Sequence, residues 1–164
     1  MSGLLFLTSD DFKVIKGNKG NFLSNSIQGL SLILFYSTQC VHCQKLISPF
    51  KKLPGTIGGC QFGMINVSTN KQCVIMSNDT MSAIEYVPTI ILFNDGNAFM
   101  RYNGPHDVNE IRRFVMEVAN KIRSKQKFTN ENIKESKKRI LEYYDKKYFK
   151  NNPEICYLKI NDLR

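Results

Sequence analysis

Apolar residues in this chain come in short runs separated by polar and glycine-containing breaks. Residues 4–7 are an apolar run of strand length. Thr8-Ser9-Asp10-Asp11 has the composition of a helix cap with an acidic first turn. It predicts a helix carrying Phe12, Val14 and Ile15 until Gly17-Asn18-Lys19-Gly20 stops it. Residues 21–29 show no clear period. Residues 31–36 are nearly continuous in apolar side chains, as in a strand covered on both faces. A helix is predicted from about Cys40 to Lys52, kinked at Pro49 and ended by Pro54-Gly55. Residues 61–67 read as a strand and 71–84 as a weaker helix. Residues 89–93 and 97–102 flank Asn94-Asp95-Gly96, the strongest hairpin signal in the chain. Asp107 caps a helix with Ile111, Phe114, Val115, Val118 and Ile122 at helical spacing. The order β-α-β-α-β-α-β-β-α predicts an α/β protein, a mixed sheet with helices on both faces.

The remaining residues read as a basic extension. Thr129 caps a helix predicted to run to about Phe149, with Ile133, Ile140, Leu141, Tyr144 and Tyr148 on one face. Lys134, Lys137, Lys138, Arg139, Lys146 and Lys147 largely fill the others. Pro153 ends this helix, and residues 155–160 read as a short strand or extended tail. The division is a domain over 1–122 and an extension over 123–164. Charge follows it: of a net +9, residues 1–122 hold +3 and residues 123–164 hold +6. The basic helix docks on the domain, binds or dimerises with a partner protein, or contacts nucleic acid or another anionic surface. The sequence leaves these three open.

At 164 residues, with 42% hydrophobic and 23% charged side chains, the composition is that of a folded soluble protein. No apolar stretch reaches the roughly 18–20 residues of a membrane-spanning helix. The first ten residues read as a strand, not a signal peptide, which predicts a cytoplasmic protein. Five cysteines, an odd number, argue against a secreted disulfide framework. Cys60, Cys73 and Cys156 read as buried free thiols.

Cys40 and Cys43 read differently. Cys40-Val41-His42-Cys43 comes just after an apolar strand and opens a helix. Two thiols three apart can close a small disulfide and open it again. The helix start favours the thiolate of the first, which poises the pair for thiol–disulfide exchange. The chemical rival is a metal site drawn from Cys40, His42, Cys43 and either Cys60 or Cys73. Neither a second Cys-x-x-Cys nor a His pair supports it, so no metal and no cofactor is expected. Gln44 stands where haem attachment needs a histidine, and Gly55, Gly58 and Gly59 lack the lysine of a phosphate loop.

Four markers occur in order: Leu7-Thr8-Ser9-Asp10-Asp11-Phe12, then Leu34-Phe35-Tyr36-Ser37 leading into Cys40–Cys43, then Val87-Pro88-Thr89, then Gly104. Over about residues 4–122 the chain resembles the thioredoxin superfamily. The resemblance implies a thioredoxin-like fold and a thiol–disulfide oxidoreductase. Its partners would be protein thiols and disulfides and a redox recycling partner. Cys40 would be the attacking thiolate and Cys43 the resolving thiol. The Val87–Pro88 bond would be cis and face the cysteines. Val87, Pro88, Thr89 and Val41 would bind substrate, with Val87 pairing to an extended segment. Val41-His42 is more similar to the Gly-His of disulfide isomerases than to the Gly-Pro of thioredoxin. His42 would stabilise the Cys40 thiolate and make the pair more oxidising than thioredoxin's.

Three departures stand out. Gln39 replaces the usual Trp. Leu34 replaces the buried acid that helps move the resolving thiol's proton. Pro49 lies nine residues after Cys40 instead of eight. The first two favour an alternative, a non-catalytic thioredoxin-fold module that holds a partner with its groove and basic tail. The Lys- and Asn-rich composition with a basic tail also resembles thioredoxin-like chains of large DNA viruses. That implies disulfide formation in virion proteins, with the virion as a second location.

Overall fold

The run Leu30–Tyr36 forms the central strand, here β4, and every residue from Leu30 to Phe35 is buried. Such a run survives only if both faces are covered, and they are. A computed structural model describes residues 3–125, 133–136, 139–143 and 154–159. In chain order the other elements are β1 (Leu4–Leu7), β2 (Phe12–Gly17), β3 (Gly20–Asn25), α1 (Val41–Phe50), β5 (Cys60–Asn66), α2 (Lys71–Ser77), β6 (Tyr86–Val87), β7 (Thr89–Asn94), β8 (Asn97–Tyr102), α3 (Val108–Arg123), β9 (Ile133–Ser136), β10 (Arg139–Tyr143) and β11 (Cys156–Tyr157). The main sheet runs β1-β5-β4-β7-β8-β10-β9. β4 is parallel to β5 and antiparallel to β7, so the sheet is mixed as expected.

Alternation along β4 divides the core. Leu30, Leu32 and Leu34 pack with Leu46 and Phe50 of α1 and Phe114, Val115 and Val118 of α3. Ile33 and Phe35 pack with Val74 of α2 and with Phe12 and Leu23 of the β2–β3 hairpin. Asp107 caps α3 as expected, accepting a hydrogen bond from the Glu110 amide. At the tip of the β7–β8 hairpin, Asp95 and Gly96 both have positive φ, +49° and +89°. Such a turn matches the twist of its strands. A Cβ on Gly96 would also lie 2.4 Å from the Asn25 carbonyl oxygen, so this approach of the two hairpins requires glycine.

Three expectations are corrected. The first helix does not form. Thr8 caps one 3-10 turn at Ser9–Asp11, its amide donating to Asp11 Oδ2 at 2.8 Å. The chain then turns into the β2–β3 hairpin, and Gly17-Asn18-Lys19-Gly20 is its turn instead of a helix stop. β-branched Val14 and Ile15 suit a strand, and Phe12 reaches the core from it. The helix expected over 71–84 ends at Ser77, because the Ser77 hydroxyl and carbonyl take the amides of Ile84 and Thr80 in a turn.

The third correction concerns the extension. Residues 133–136 and 139–143 are strands, not parts of one amphipathic helix. β10 adds in parallel to β8 and satisfies a sheet edge that a docked helix would leave open. Tyr143 stacks on Tyr102 and lies 4.8 Å from the Phe114 ring. The extension thus completes the main sheet, and its described residues do not form the basic helix for which those partner roles were expected. The rest of the expected helix lies outside the described residues. No described helix is long and apolar enough to cross a membrane.

Candidate active site

β4 ends at Tyr36, and four residues turn the chain into α1. Ser37 Oγ accepts from the Gln39 amide at 3.2 Å, and Gln44 Nε2 donates to the Thr38 carbonyl at 2.8 Å. These bonds hold Cys40 at the N-cap of α1 with extended backbone, while its carbonyl accepts from the Gln44 amide. The Cys40 side chain accepts no capping bond, so its sulfur stands at the positive end of the helix.

Cys43 lies one turn further in and is fully buried. Burial pushes its thiol up to about 11, against the Ser37 amide that donates to Cys43 Sγ at 3.4 Å. His42 is half-buried, and its Nδ1 has no hydrogen-bond partner among the described residues. Val41 is exposed at the rim.

Across from α1, β6 leads into Pro88 and β7. The Val87–Pro88 peptide is cis. Val87, Pro88 and Thr89 are buried, and Thr89 Oγ1 donates to the Tyr86 carbonyl at 2.6 Å. Cys40 Sγ lies 3.7 Å from the Val87 carbonyl oxygen, as a contact because this sulfur carries no hydrogen. The fold therefore brings Cys40 and Cys43 together with Val87, while Val41 and His42 lie on α1 beside them and Pro88 and Thr89 follow Val87 in the chain.

Cys40 is not bonded to Cys43, the partner expected of it. Its disulfide partner is Cys156, 116 residues away, and Cys43 is a free thiol. Cys156 is thus not the buried free thiol expected of it. The segment around it is extended, as expected. β11 pairs antiparallel with β6, Cys156 opposite Val87 and Tyr157 opposite Tyr86. The Leu158 amide donates to the Glu85 carbonyl at 2.9 Å. The Tyr157 ring meets Tyr86 edge-on. Glu154 Oε2 lies 3.6 Å from His106 Nδ1. Burial draws His106 below its ordinary pKa; Glu154 opposes the shift and His42 adds to it. A cleft of about 390 Å³ remains beside the disulfide, lined by Ser37, Cys40, Ser68, Lys71, Val87 and Cys156 among others.

Cys60 and Cys73 are buried free thiols as expected, and burial pushes both to about 12. Cys60 packs with Leu32 and Leu34, whereas Cys43 and Cys73 pack with Ile33 and Phe35. A metal set joining Cys60 to Cys40, His42 and Cys43 is therefore not assembled. The residues missed by the sequence reading are Cys156, Tyr157, Glu154, Tyr86 and His106. Their one signal was a cysteine within the apolar run Ile155-Cys156-Tyr157-Leu158.

The family described as Thioredoxin matches residues 13–117. A protein of Invertebrate iridescent virus 6, "Uncharacterized protein 196R", is 37% identical over 133 residues, 73% of this chain and 72% of the viral protein. "Probable protein disulfide-isomerase ER-60" of Schistosoma mansoni is 32% identical over 111 residues, 65% of this chain and 22% of that protein. Among solved structures, the Trx4 domain of ERdj5 superposes with a TM-score of 0.54 at 18% identity. That superposition covers 73% of this chain and 97% of the ERdj5 domain.

Proposed function

This chain belongs to the thioredoxin family, and on that footing we propose that it is a thiol–disulfide oxidoreductase acting on protein thiols and disulfides. The observation that carries the reading is the sulfur of Cys40. It sits at a helix start, beside Val87, and is engaged in a disulfide with an extended segment paired to Val87.

The reaction uses this chain's own groups. The Cys40 thiolate, favoured by the helix start, attacks one sulfur of a substrate disulfide. The other substrate sulfur leaves as a thiolate. Cys43 then attacks Cys40 Sγ, closes the Cys40–Cys43 disulfide and releases the second substrate thiol. Run backwards, the same steps oxidise a substrate dithiol. Val87, Pro88 and Thr89 hold the substrate strand, with Val41 at the rim. A recycling partner restores the starting state. His42, beside Cys40 in sequence and with its Nδ1 unpartnered among the described residues, is proposed to favour the Cys40 thiolate. That makes the pair more oxidising than thioredoxin's. The likeness to the iridescent-virus protein supports a viral source, in which the reaction would form disulfides in virion proteins.

The second reading, a non-catalytic binding module, is favoured by one observation: Cys40 is already bonded within the chain and Cys43 is deeply buried. The test is a redox titration of Cys40–Cys43 in glutathione buffers, in the Cys156→Ser chain so that this pair is read alone. Alkylation and mass analysis give the reduced fraction. A potential well above about −270 mV supports an oxidising role with His42 as tuning group. A value at or below it removes the His42 argument. Failure to form a Cys40–Cys43 disulfide, together with no turnover in wild type, favours the module.

A further inference from the structure

We infer that Cys156 is a third exchanging cysteine, an internal substrate that forms a mixed disulfide with Cys40 and is released by Cys43. The inference rests on the oxidoreductase reading of Cys40 and Cys43 and adds a residue to it.

Four contacts of separate kinds dock the segment 154–158. Cys156 pairs with Val87 across a two-stranded ladder, and the Leu158 amide bonds to Glu85. Tyr157 packs edge-on against Tyr86, whose hydroxyl donates to Asn103 and accepts from Arg101. The Glu154 carboxylate approaches His106. The fourth is covalent, the Cys40–Cys156 bond. A structural staple needs only the last. Added backbone pairing beside the attacking sulfur is how an extended peptide is received at a strand edge. The tail therefore stands where a substrate strand would lie, with its cysteine on the sulfur that would attack it.

The exchange balances without a co-reactant. The Cys43 thiol gives its proton to solvent, and the thiolate attacks Cys40 Sγ. A Cys40–Cys43 bond forms as the Cys40–Cys156 bond breaks, and the electron pair leaves on Cys156, which takes a proton from solvent. One disulfide is consumed and one formed, so nothing is oxidised or reduced overall. Forming the first Cys40–Cys156 bond from three thiols takes a two-electron oxidant, supplied by a low-molecular-weight or protein disulfide. The chain thus alternates between a closed form, with the groove filled, and an open form, with Cys156 free.

The test uses the full chain with oxidised glutathione as the oxidant, acid quenching, alkylation and peptide mapping. In Cys43→Ser the exchange is blocked, so the expected product is a Cys40–Cys156 linked peptide with both cysteines protected from alkylation. Cys43→Ala serves if the serine variant does not fold. In wild type at pH 8 the linkage is expected to pass with time into Cys40–Cys43, with a matching gain of alkylated Cys156. A glutathione adduct on Cys40 with Cys156 still alkylatable in the Cys43 variant overturns the inference. So does a wild-type Cys40–Cys156 linkage that never yields Cys40–Cys43, since that is a fixed staple. Turnover of a peptide disulfide by wild type is measured in parallel. Its absence overturns the oxidoreductase reading, while the linkage result still decides the role of Cys156.

Discussion

The rings of Tyr157 and Tyr86 meet edge-on, centroids 6.1 Å apart and planes at 76°, one residue beyond the point where Cys156 faces Val87. Tyr86 is buried and fixed by Asn103 and Arg101, so Tyr157 finds a rigid partner. An aromatic pair of this kind contributes about 1 kcal/mol beyond its buried area. Tyr157→Ala is expected to lower the equilibrium yield of Cys40–Cys156 against Cys40–glutathione about fivefold. Peptide mapping across a glutathione series reads it. An unchanged ratio would mean that the ring pair does not hold the tail.

Cys43 should set a steep pH dependence. Its thiol is pushed up to about 11 by burial, so only a trace is thiolate at neutral pH. Opening of the Cys40–Cys156 bond by Cys43 is expected to speed up about tenfold per pH unit between pH 7 and 10. Quenched alkylation of Cys156 over time measures it. A flat profile would show that another group takes the Cys43 proton.

His106 bears on stability. Burial lowers its pKa from the ordinary 6.5, so the folded chain holds it neutral while the unfolded chain takes up a proton first as pH falls. The sign is a loss of stability on acidification, beginning near pH 6.5 and complete below the native value. His106→Gln should flatten that part of the curve. Urea unfolding of both chains at pH 7.5 and 5.5 makes the comparison, and equal slopes would exclude His106 as the cause.

Tyr143 tests whether the extension belongs to the domain. It is 5% exposed, contacts Phe114 and Tyr102, and its hydroxyl donates to Glu117. Removing a buried aromatic side chain costs about 3–5 kcal/mol. Tyr143→Ala in the full chain should therefore lower the urea midpoint in a single transition. A loss below about 1 kcal/mol would mean that β10 is only loosely joined.

Much of the fold was legible where local and global preferences agree. The doubly covered run at β4, the Asp95-Gly96 turn and the Asp107 cap each carry a short-range signal that packing does not overrule. The misreadings came where it does. Val14, Ile15 and their neighbours could follow either period, and pairing with β3 decided for a strand. Ile133, Ile140 and Leu141 fit a helical face equally well, but the open edge of β8 is invisible in a local window.

The candidate site divides in the same way. Cys40 and Cys43 are three apart and stand out by spacing, whereas the roles of Val41 and His42 come from the family pattern. Val87, Pro88 and Thr89 came from the family pattern. Cys156 and Tyr157 reach the site only through strand pairing with Val87 and Tyr86 and through a disulfide to a cysteine 116 residues away, and no local pattern reports that.

Because β10 is fixed to the sheet at Tyr143, only twelve residues separate that anchor from Cys156. Being part of the same chain, Cys156 meets Cys40 as an intramolecular partner, with an effective concentration of order millimolar. Under the proposed function, an incoming protein thiol at micromolar level would compete with Cys156 at roughly a thousandfold disadvantage in abundance. To displace the tail it would have to bind the groove more tightly than the sequence Glu-Ile-Cys-Tyr-Leu does. Selectivity would then come from the occupant to be evicted as much as from the groove itself.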